Sequence, residues 1–340
     1  MLLWQNKAGY GIARWPEAEL KDASMKQVII FGECMVELFQ LVDNVYHQAF
    51  AGDVYNTAVY CKRSAPVQLN LKFLSAVGTD LVSDKLIAQL EQEKLDSSLV
   101  LRTKTARPGL YMINTDCFGE RSFVYWRDSS AAKQSLALFR QHNTIANLLP
   151  ADLFYFSGIS LAILSLDDRT YLFALIKELK AQGVQIVFDP NYRPALWPDA
   201  EICRANFDQA YALSDIALPG LDDHKVLYGS TSAADVLVQL QKLGVKEIIV
   251  KNGPAGVLGY SDGNSFQSPA VPVKKVVDTT AAGDSFNGGY LAGRLNGLSP
   301  LASCQYAAAL ASFVVEHTGA IVTKEQFRSF SSRFNLTTFS

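Results

Sequence analysis

Asp278-Thr279-Thr280-Ala281-Ala282-Gly283-Asp284-Ser285-Phe286-Asn287-Gly288-Gly289-Tyr290 is the stretch on which the fold turns. It follows the β-branched pair Val276-Val277, and its small residues give way to an apolar run suited to a buried helix. That order predicts a strand, a tight turn and a helix start. Small residues let backbone N–H groups approach an anion, and the helix dipole favours negative charge at that end. Asp284 sits at the same helix start. A carboxylate beside an anion is electrostatically awkward unless it handles a proton or a cation. The competing reading is an ordinary N-terminal cap in an α/β protein.

The 340 residues are 49% hydrophobic and 19% charged, enough for one large domain or two smaller ones. A net charge of −2 and the lack of any basic run argue against nucleic-acid binding. Cys34, Cys61, Cys117, Cys203 and Cys304 are odd in number, widely spaced and free of CxxC. They predict neither a disulfide scaffold nor a zinc site, and point to a reducing cytoplasm. No continuous apolar run reaches 18 residues, so no membrane span is predicted. Residues 1–24 lack the apolar run of a signal peptide, and the first convincing strand is Val28-Ile29-Ile30-Phe31. Residues 1–24 therefore read as an extension, with Met25 a candidate start, and 331–340 as a tail.

Outward from the opening stretch, strands alternate with helices. Strands are predicted at 27–33, 71–77, 154–157, 184–188, 215–218, 246–251, 258–260 and 270–277. Helices are predicted after Gly52 and Gly220 and at 81–94, 166–181, 231–242, 284–295 and 301–315. This rhythm favours an α/β architecture. Ala51-Gly52-Asp53-Val54-Tyr55-Asn56 is a permissive turn entering a helix. Asp53 either caps that helix or, with Asn56, binds ligand hydroxyls. Residues 107–127 read as an aromatic hairpin from which Tyr111, Tyr125 and Arg127 face a ligand or form a core stripe with a solvated arginine. Asp189-Pro190-Asn191-Tyr192-Arg193-Pro194 follows a strand at the edge where open parallel sheets bind ligands. Asp222 and Asp223 are either magnesium contacts or helix-start carboxylates, and Lys251-Asn252-Gly253 either meets a nucleotide phosphate or is surface.

Gly32-Glu33, the Ala51-to-Asn56 turn and the Asp278-to-Tyr290 motif together resemble the ribokinase-like (PfkB) sugar kinase family over nearly all of residues 25–330. Within it, Pro108-Gly109-Leu110-Tyr111, Tyr125-Trp126-Arg127 and Asp189-to-Pro194 resemble the bacterial branch acting on 2-keto-3-deoxygluconate. The resemblance implies a three-layer α/β/α sandwich over 25–330 with a small β-sheet lid from segments near 35–56 and 107–127. It also implies phosphate transfer from ATP, with Mg2+, to the terminal hydroxyl of that keto-sugar acid, in a homo-oligomer, most simply a dimer. Asp284 is then the catalytic base, with Ala282 and Gly283 lining an anion hole. Gly52, Asp53, Asn56, Tyr111, Tyr125, Arg127 and Arg193 surround the sugar. The two arginines suit its carboxylate. Asn191, Lys251, Gly253, Ala281, Ala282 and Gly283 approach the nucleotide, and Asp222 and Asp223 touch magnesium directly or through water.

The chain departs from the family pattern in three places. Ala51 and Ala281 stand where glycine is common, and Gly220-Leu221-Asp222-Asp223 replaces Asn-x-x-Glu. Fructokinase or another neutral-sugar kinase is the alternative of the same fold. A non-catalytic sugar-sensing or assembly protein is the alternative of another class. A nicotinamide oxidoreductase fits poorly, because no GxGxxG follows the first strand.

Overall fold

A computed structural model of the chain describes residues 25–42, 44–65, 68–115, 121–334 and 336. The amino-terminal extension, residues 116–120 with Cys117, and half of the carboxyl-terminal tail at 331–340 lie outside them. The strands are β1 (Lys26–Phe31), β2 (Met35–Val42), β3 (Val45–Ala51), β4 (Leu69–Val77), β5 (Val100–Arg102), β6 (Leu110–Thr115), β7 (Arg121–Trp126), β8 (Leu153–Ser157), β9 (Gln185–Asp189), β10 (Ile216–Ala217), β11 (Glu247–Lys251), β12 (Val257–Ser261) and β13 (Asn264–Ser268). The α-helices are α1 (Asp53–Ser64), α2 (Leu81–Gln92), α3 (Ser135–His142), α4 (Gly158–Ala162), α5 (Leu166–Ala181), α6 (Ala200–Leu213), α7 (Leu221–Tyr228), α8 (Ala233–Lys242), α9 (Ala282–Leu295), α10 (Pro300–Val314) and α11 (Lys324–Ser331).

Among the described residues the main sheet has nine strands in the order β13-β12-β11-β10-β9-β8-β1-β4-β5. It is parallel from β11 to β5, with β12 and β13 added antiparallel at one edge. Successive residues of each inner strand feed opposite cores. Ile29, Phe31, Phe154, Phe156, Ile186 and Phe188 join the side chains of α5, α6 and α8. Val28, Ile30, Tyr155, Val187 and Ile249 join those of α1, α9 and α10. Both faces are therefore covered, which is why these strands read as unbroken apolar runs. Phe188 anchors one layer, with ring centroids 4.9 Å from Phe156 and 5.1 Å from Tyr211. Truncating a core ring of this kind typically costs about 3–5 kcal/mol.

Strands β3-β2-β6-β7 form a separate four-stranded sheet, the lid. It is antiparallel except where β2 runs alongside β6. Residues 53–56, grouped with the lid segments from sequence, lie in α1 instead. Asp53 is the first helical residue and makes no cap; Gly52 occupies the cap position.

The strand predicted at 270–277 does not form. Its backbone is tied to the end of α10 and the residues after it instead: the Val277 and Asp278 N–H groups donate to the Val315 carbonyl, the Lys274 N–H to Glu316 and the Ser312 hydroxyl to the Val271 carbonyl, while Pro272 within the segment and Pro269 just before it remove ladder donors. The sheet is instead extended by the hairpin of β12 and β13 around Asp262-Gly263, whose positive φ values of 51° and 82° suit a tight turn. Helices α3, α4, α6 and α11 also form where the sequence reading placed none. In α6 the buried set Cys203, Phe207, Ala210 and Tyr211 has helical spacing, and Asp199 caps its start.

Candidate active site

Two helices that cross closely build the centre. A Cβ on Gly288 of α9 would lie 2.7 Å from the Thr57 carbonyl oxygen on α1, so glycine alone permits the crossing. The close approach puts Asn56 Nδ2 2.8 Å from Asp284 Oδ2 and Thr57 Oγ1 3.3 Å from the Asp284 carbonyl oxygen. Gly52 is equally constrained. Its N–H donates to Asn56 Oδ1 at 3.4 Å, and a Cβ there would stand 2.5 Å from the Glu33 carbonyl oxygen. No side chain caps α9; the Ala282 N–H donates to the Thr279 carbonyl at 3.2 Å, which leaves the N–H of Gly283 and the positive end of the dipole for an anionic ligand. Ala281, the substituted position, buries its methyl in an apolar cluster with Met35, Tyr111 and Ile113 beneath the lid. It does not obstruct that helix start.

Burial pushes the Asp284 carboxyl up to about 8. The neighbouring charge of Asp53 adds to the rise, while the Asn56 hydrogen bond opposes it. Asp53 is fixed from the other side by Asn191, whose amide donates to Asp53 Oδ2 at 3.0 Å. Asn191 adopts a left-handed φ of 32°, a conformation that asparagine tolerates better than most residues and that often marks a functional turn.

Behind Asp284 lies a buried polar network. Lys251 Nζ, at the end of β11, donates to Asn287 Oδ1 at 3.0 Å and lies 3.4 Å from Asp189 Oδ1. Asn287 donates in turn to Asp189 Oδ2 at 2.7 Å and to the Tyr155 hydroxyl at 3.1 Å. Burial raises the Asp189 carboxyl, and Lys251 offsets part of that. Lys251 Nζ would be 3.7 Å from a Cβ on Gly283, so the cation stands beside the uncapped helix start. Gly253 lies farther out, in an exposed turn after β11.

A cleft of about 940 Å³ runs from Asp284 to the underside of the lid. Tyr111, Tyr125, Arg127, Asn191 and Arg193 all line it, as do Gly52, Asp53 and Asn56. Tyr111 is buried, donates its hydroxyl to the Glu37 carboxylate and holds its ring tilted against that of half-exposed Tyr125, with centroids 5.7 Å apart. The two arginines differ. Arg127 is buried with Nη2 2.5 Å from Glu33 Oε2, whereas Arg193 is exposed, bonds the Tyr192 carbonyl at 2.9 Å and reaches Asp223 only at 3.9 Å.

The pfkB family carbohydrate kinase profile matches residues 25–326. The chain belongs to that family. It is 40% identical over 304 residues to the 2-dehydro-3-deoxygluconokinase of Escherichia coli K12, covering 88% of this chain and 98% of that one. It is 38% identical over 315 residues to the protein of the same name from Haemophilus influenzae, covering 92% and 100%. A putative ribokinase II from E. coli, solved in complex with ATP and Mg2+, superimposes with a TM-score of 0.77 at 25% identity, covering 91% of this chain and all of that one. The fold is the ribokinase-like sandwich with a lid that the sequence predicted.

The carboxylates of this PfkB kinase suit a magnesium ion carried mainly by phosphates and water. Burial and the charge of Asp189 both raise the Asp223 carboxyl, a strain that a nearby cation would relieve. Asp222 differs: it faces solvent and pairs with Lys225 at 3.0 Å. Of the two acids proposed from sequence, only Asp223 points inward, accepting the Tyr192 N–H at 3.2 Å. A Cβ on Gly220 would meet Asp223 Oδ2 at 3.6 Å, an ordinary contact, so the missing side chain leaves room rather than disrupting the turn.

Four more residues belong to the site, of which Asp189 stood with Asn191 and Arg193 in the polar cluster that the sequence placed at the ligand edge of the sheet. Glu33 and Asp278 line the cleft, and Asp189 and Asn287 hold Lys251. Asn287 falls one helical turn after Asp284, and Glu33 and Asp189 fall at the carboxyl ends of β1 and β9. Those positions were the available signals.

Proposed function

We propose that the chain phosphorylates 2-keto-3-deoxygluconate (2-dehydro-3-deoxygluconate) at its terminal hydroxyl with ATP, giving 2-keto-3-deoxy-6-phosphogluconate. The observation that carries the chemistry is Asp284: a carboxylate steadied by Asn56, raised toward neutrality, at the uncapped start of a buried helix. The sugar's terminal oxygen attacks the terminal phosphorus of ATP, its proton passes to Asp284, and ADP leaves. The Gly283 N–H and the Lys251 ammonium meet the charge that builds on the transferring phosphoryl group, while the Ala282 N–H, expected from sequence to join them, is already bonded to the Thr279 carbonyl. Asp223 would hold a magnesium ion brought with ATP, directly or through water, and such an ion would lower the repulsion among phosphate oxygens. The lid tyrosines cover the sugar and exclude water.

The acidic sugar is favoured by Arg193, an exposed guanidinium on the cleft wall with no short ionic partner among the described residues. The cytoplasm is the compartment and a homodimer the assembly that accompany this reading; light scattering on the purified chain decides the second.

The test is turnover of 2-keto-3-deoxygluconate, fructose and ribose with MgATP. The keto-sugar acid should be preferred, and Asp284→Asn should lower its turnover by about 10²–10⁴-fold while keeping the fold. Phosphorylation of a neutral sugar alone, or near-normal turnover by folded Asp284→Asn, would overturn the assignment.

A further inference from the structure

Glu33 follows β1 at the carboxyl edge of the sheet and is only 2% exposed, yet it lines the cleft. Its Oε2 is committed to Arg127 Nη2 at 2.5 Å. Its Oε1 has no hydrogen-bond partner among the described residues, and neither has Arg127 Nε. One buried acceptor and one buried donor are thus left unanswered on the same wall. Buried polar atoms are almost always paired, because leaving one unsatisfied costs the full desolvation of that group. The backbone is cut to fit this carboxylate: a Cβ on Gly109 would come within 2.7 Å of Oε1.

We propose that Glu33 is a specificity-determining residue of the sugar site, whose Oε1 accepts a hydrogen bond from a secondary hydroxyl of the substrate. The inference rests on the kinase reading above and deepens it. An ionised carboxylate only accepts, so this wall selects a ligand group that donates. A hydroxyl both donates and accepts, and so answers Oε1 and Arg127 Nε together. A substrate carboxylate cannot serve Oε1, and the charge of Glu33 repels it. Glu33 also balances the charge of Arg127, leaving Arg193 as the less encumbered cation for the acid end of the sugar. The pair therefore sets the direction in which the substrate lies, with its hydroxylated carbons against Glu33 and its acid group toward Arg193.

The test uses the full chain and compares wild type with Glu33→Gln, which keeps the shape and removes the charge. Glu33→Gln should raise KM for the keto-sugar acid about tenfold, as expected for weakening a hydrogen bond to a charged acceptor, and leave KM for ATP unchanged. The same pair of enzymes is then measured on the 4-deoxy and 5-deoxy analogues. On the analogue lacking the hydroxyl that Glu33 reads, wild type and variant should have equal KM. Unchanged KM in Glu33→Gln, or an equal penalty on the parent sugar and both analogues, overturns the proposal, the latter marking Glu33 as a structural partner of Arg127 alone. Should Glu33→Gln fail to fold by circular dichroism, Glu33→Asp is read by the same criteria, because it retracts the carboxylate by one methylene. Wild-type turnover of the acid sugar is recorded first. If only a neutral ketose is phosphorylated, the parent reading fails, and the Glu33 comparison on that ketose and its deoxy forms still decides this proposal.

Discussion

The charge state of Asp284 makes a quantitative prediction. With its carboxyl pushed up to about 8, only about one molecule in eleven carries the ionised base at pH 7, against about ten in eleven at pH 9. Initial rates with both substrates well below KM report the free enzyme. They should rise about tenfold over that interval, with unit slope below pH 8 and a plateau above it. Burial is the largest cause of the shift and the Asp53 charge the next, so Asp53→Asn separates them. Asp53 lies three residues before Asn56, the partner of Asp284, on the same turn of α1. Removing that like charge relieves the repulsion on ionised Asp284, so the acid limb should move down by about one pH unit. The side-chain amide that Asp53→Asn introduces keeps a carbonyl oxygen able to accept from Asn191, so the turn stays intact. Stability runs the opposite way to activity. The unfolded chain releases this proton in the ordinary carboxylate range and the folded chain only near 8, so Tm of the ligand-free protein should fall as pH rises through that window. A flat rate profile from pH 6 to 9, or an acid limb that Asp53→Asn leaves in place or moves up, refutes the reasoning.

Two further substitutions probe the flanks of the site. Arg193→Ala should raise KM for the keto-sugar acid by about ten- to a hundredfold and leave weak activity on fructose unaltered, since a charged hydrogen bond contributes about 1.5–3 kcal/mol; an equal effect on both sugars would remove the arginine from acid recognition. Gly220→Asn restores an amide beside Asp223, where the Cβ has room at 3.6 Å, and should lower the Mg2+ concentration for half-maximal rate at fixed ATP by about twofold or more. An unchanged magnesium dependence would place position 220 outside the metal's water network.

The parts of the fold legible in the sequence were those in which one physical signal dominated. Inner strands such as Val28–Phe31 and Ile248–Val250 are apolar on both faces because helices cover both, and an unbroken apolar run does not depend on what pairs with it. The helix beginning at Asp284 was legible for the same reason: its small residues serve a crossing with α1 that tolerates nothing larger at Gly288. The segment 270–277 carried a β-branched pair but had no strand beside it to complete a ladder. Propensity without a partner gave a loop whose exposed Val276 and Val277 wall the cleft. Helix α6 was obscured by the proline-rich run before it, although Phe207, Ala210 and Tyr211 carried the helical spacing.

At the site, residue type identified Asp284 and Arg193, but pairing assigned the roles, and pairing is a long-range property. Asn56 meets Asp284 across 228 positions of sequence, and Arg127 meets Glu33 across 94. The second contact changes what Arg127 can do. Read alone, it is a free cation suited to a carboxylate; read with Glu33, it is half of a nearly neutral pair with one donor and one acceptor unanswered. Two arginines in one cleft therefore need not supply two charges, and the discrimination between an acidic and a neutral sugar should fall more heavily on Arg193 than on Arg127. Arg127→Ala consequently carries two losses, a donor toward the substrate and the counter-charge of buried Glu33. The second is the larger in principle, because breaking a buried pair on one side typically costs about 3–5 kcal/mol. A kinetic defect in that variant is therefore interpretable only beside its Tm, whereas Arg193→Ala, at an exposed guanidinium, reports on recognition directly.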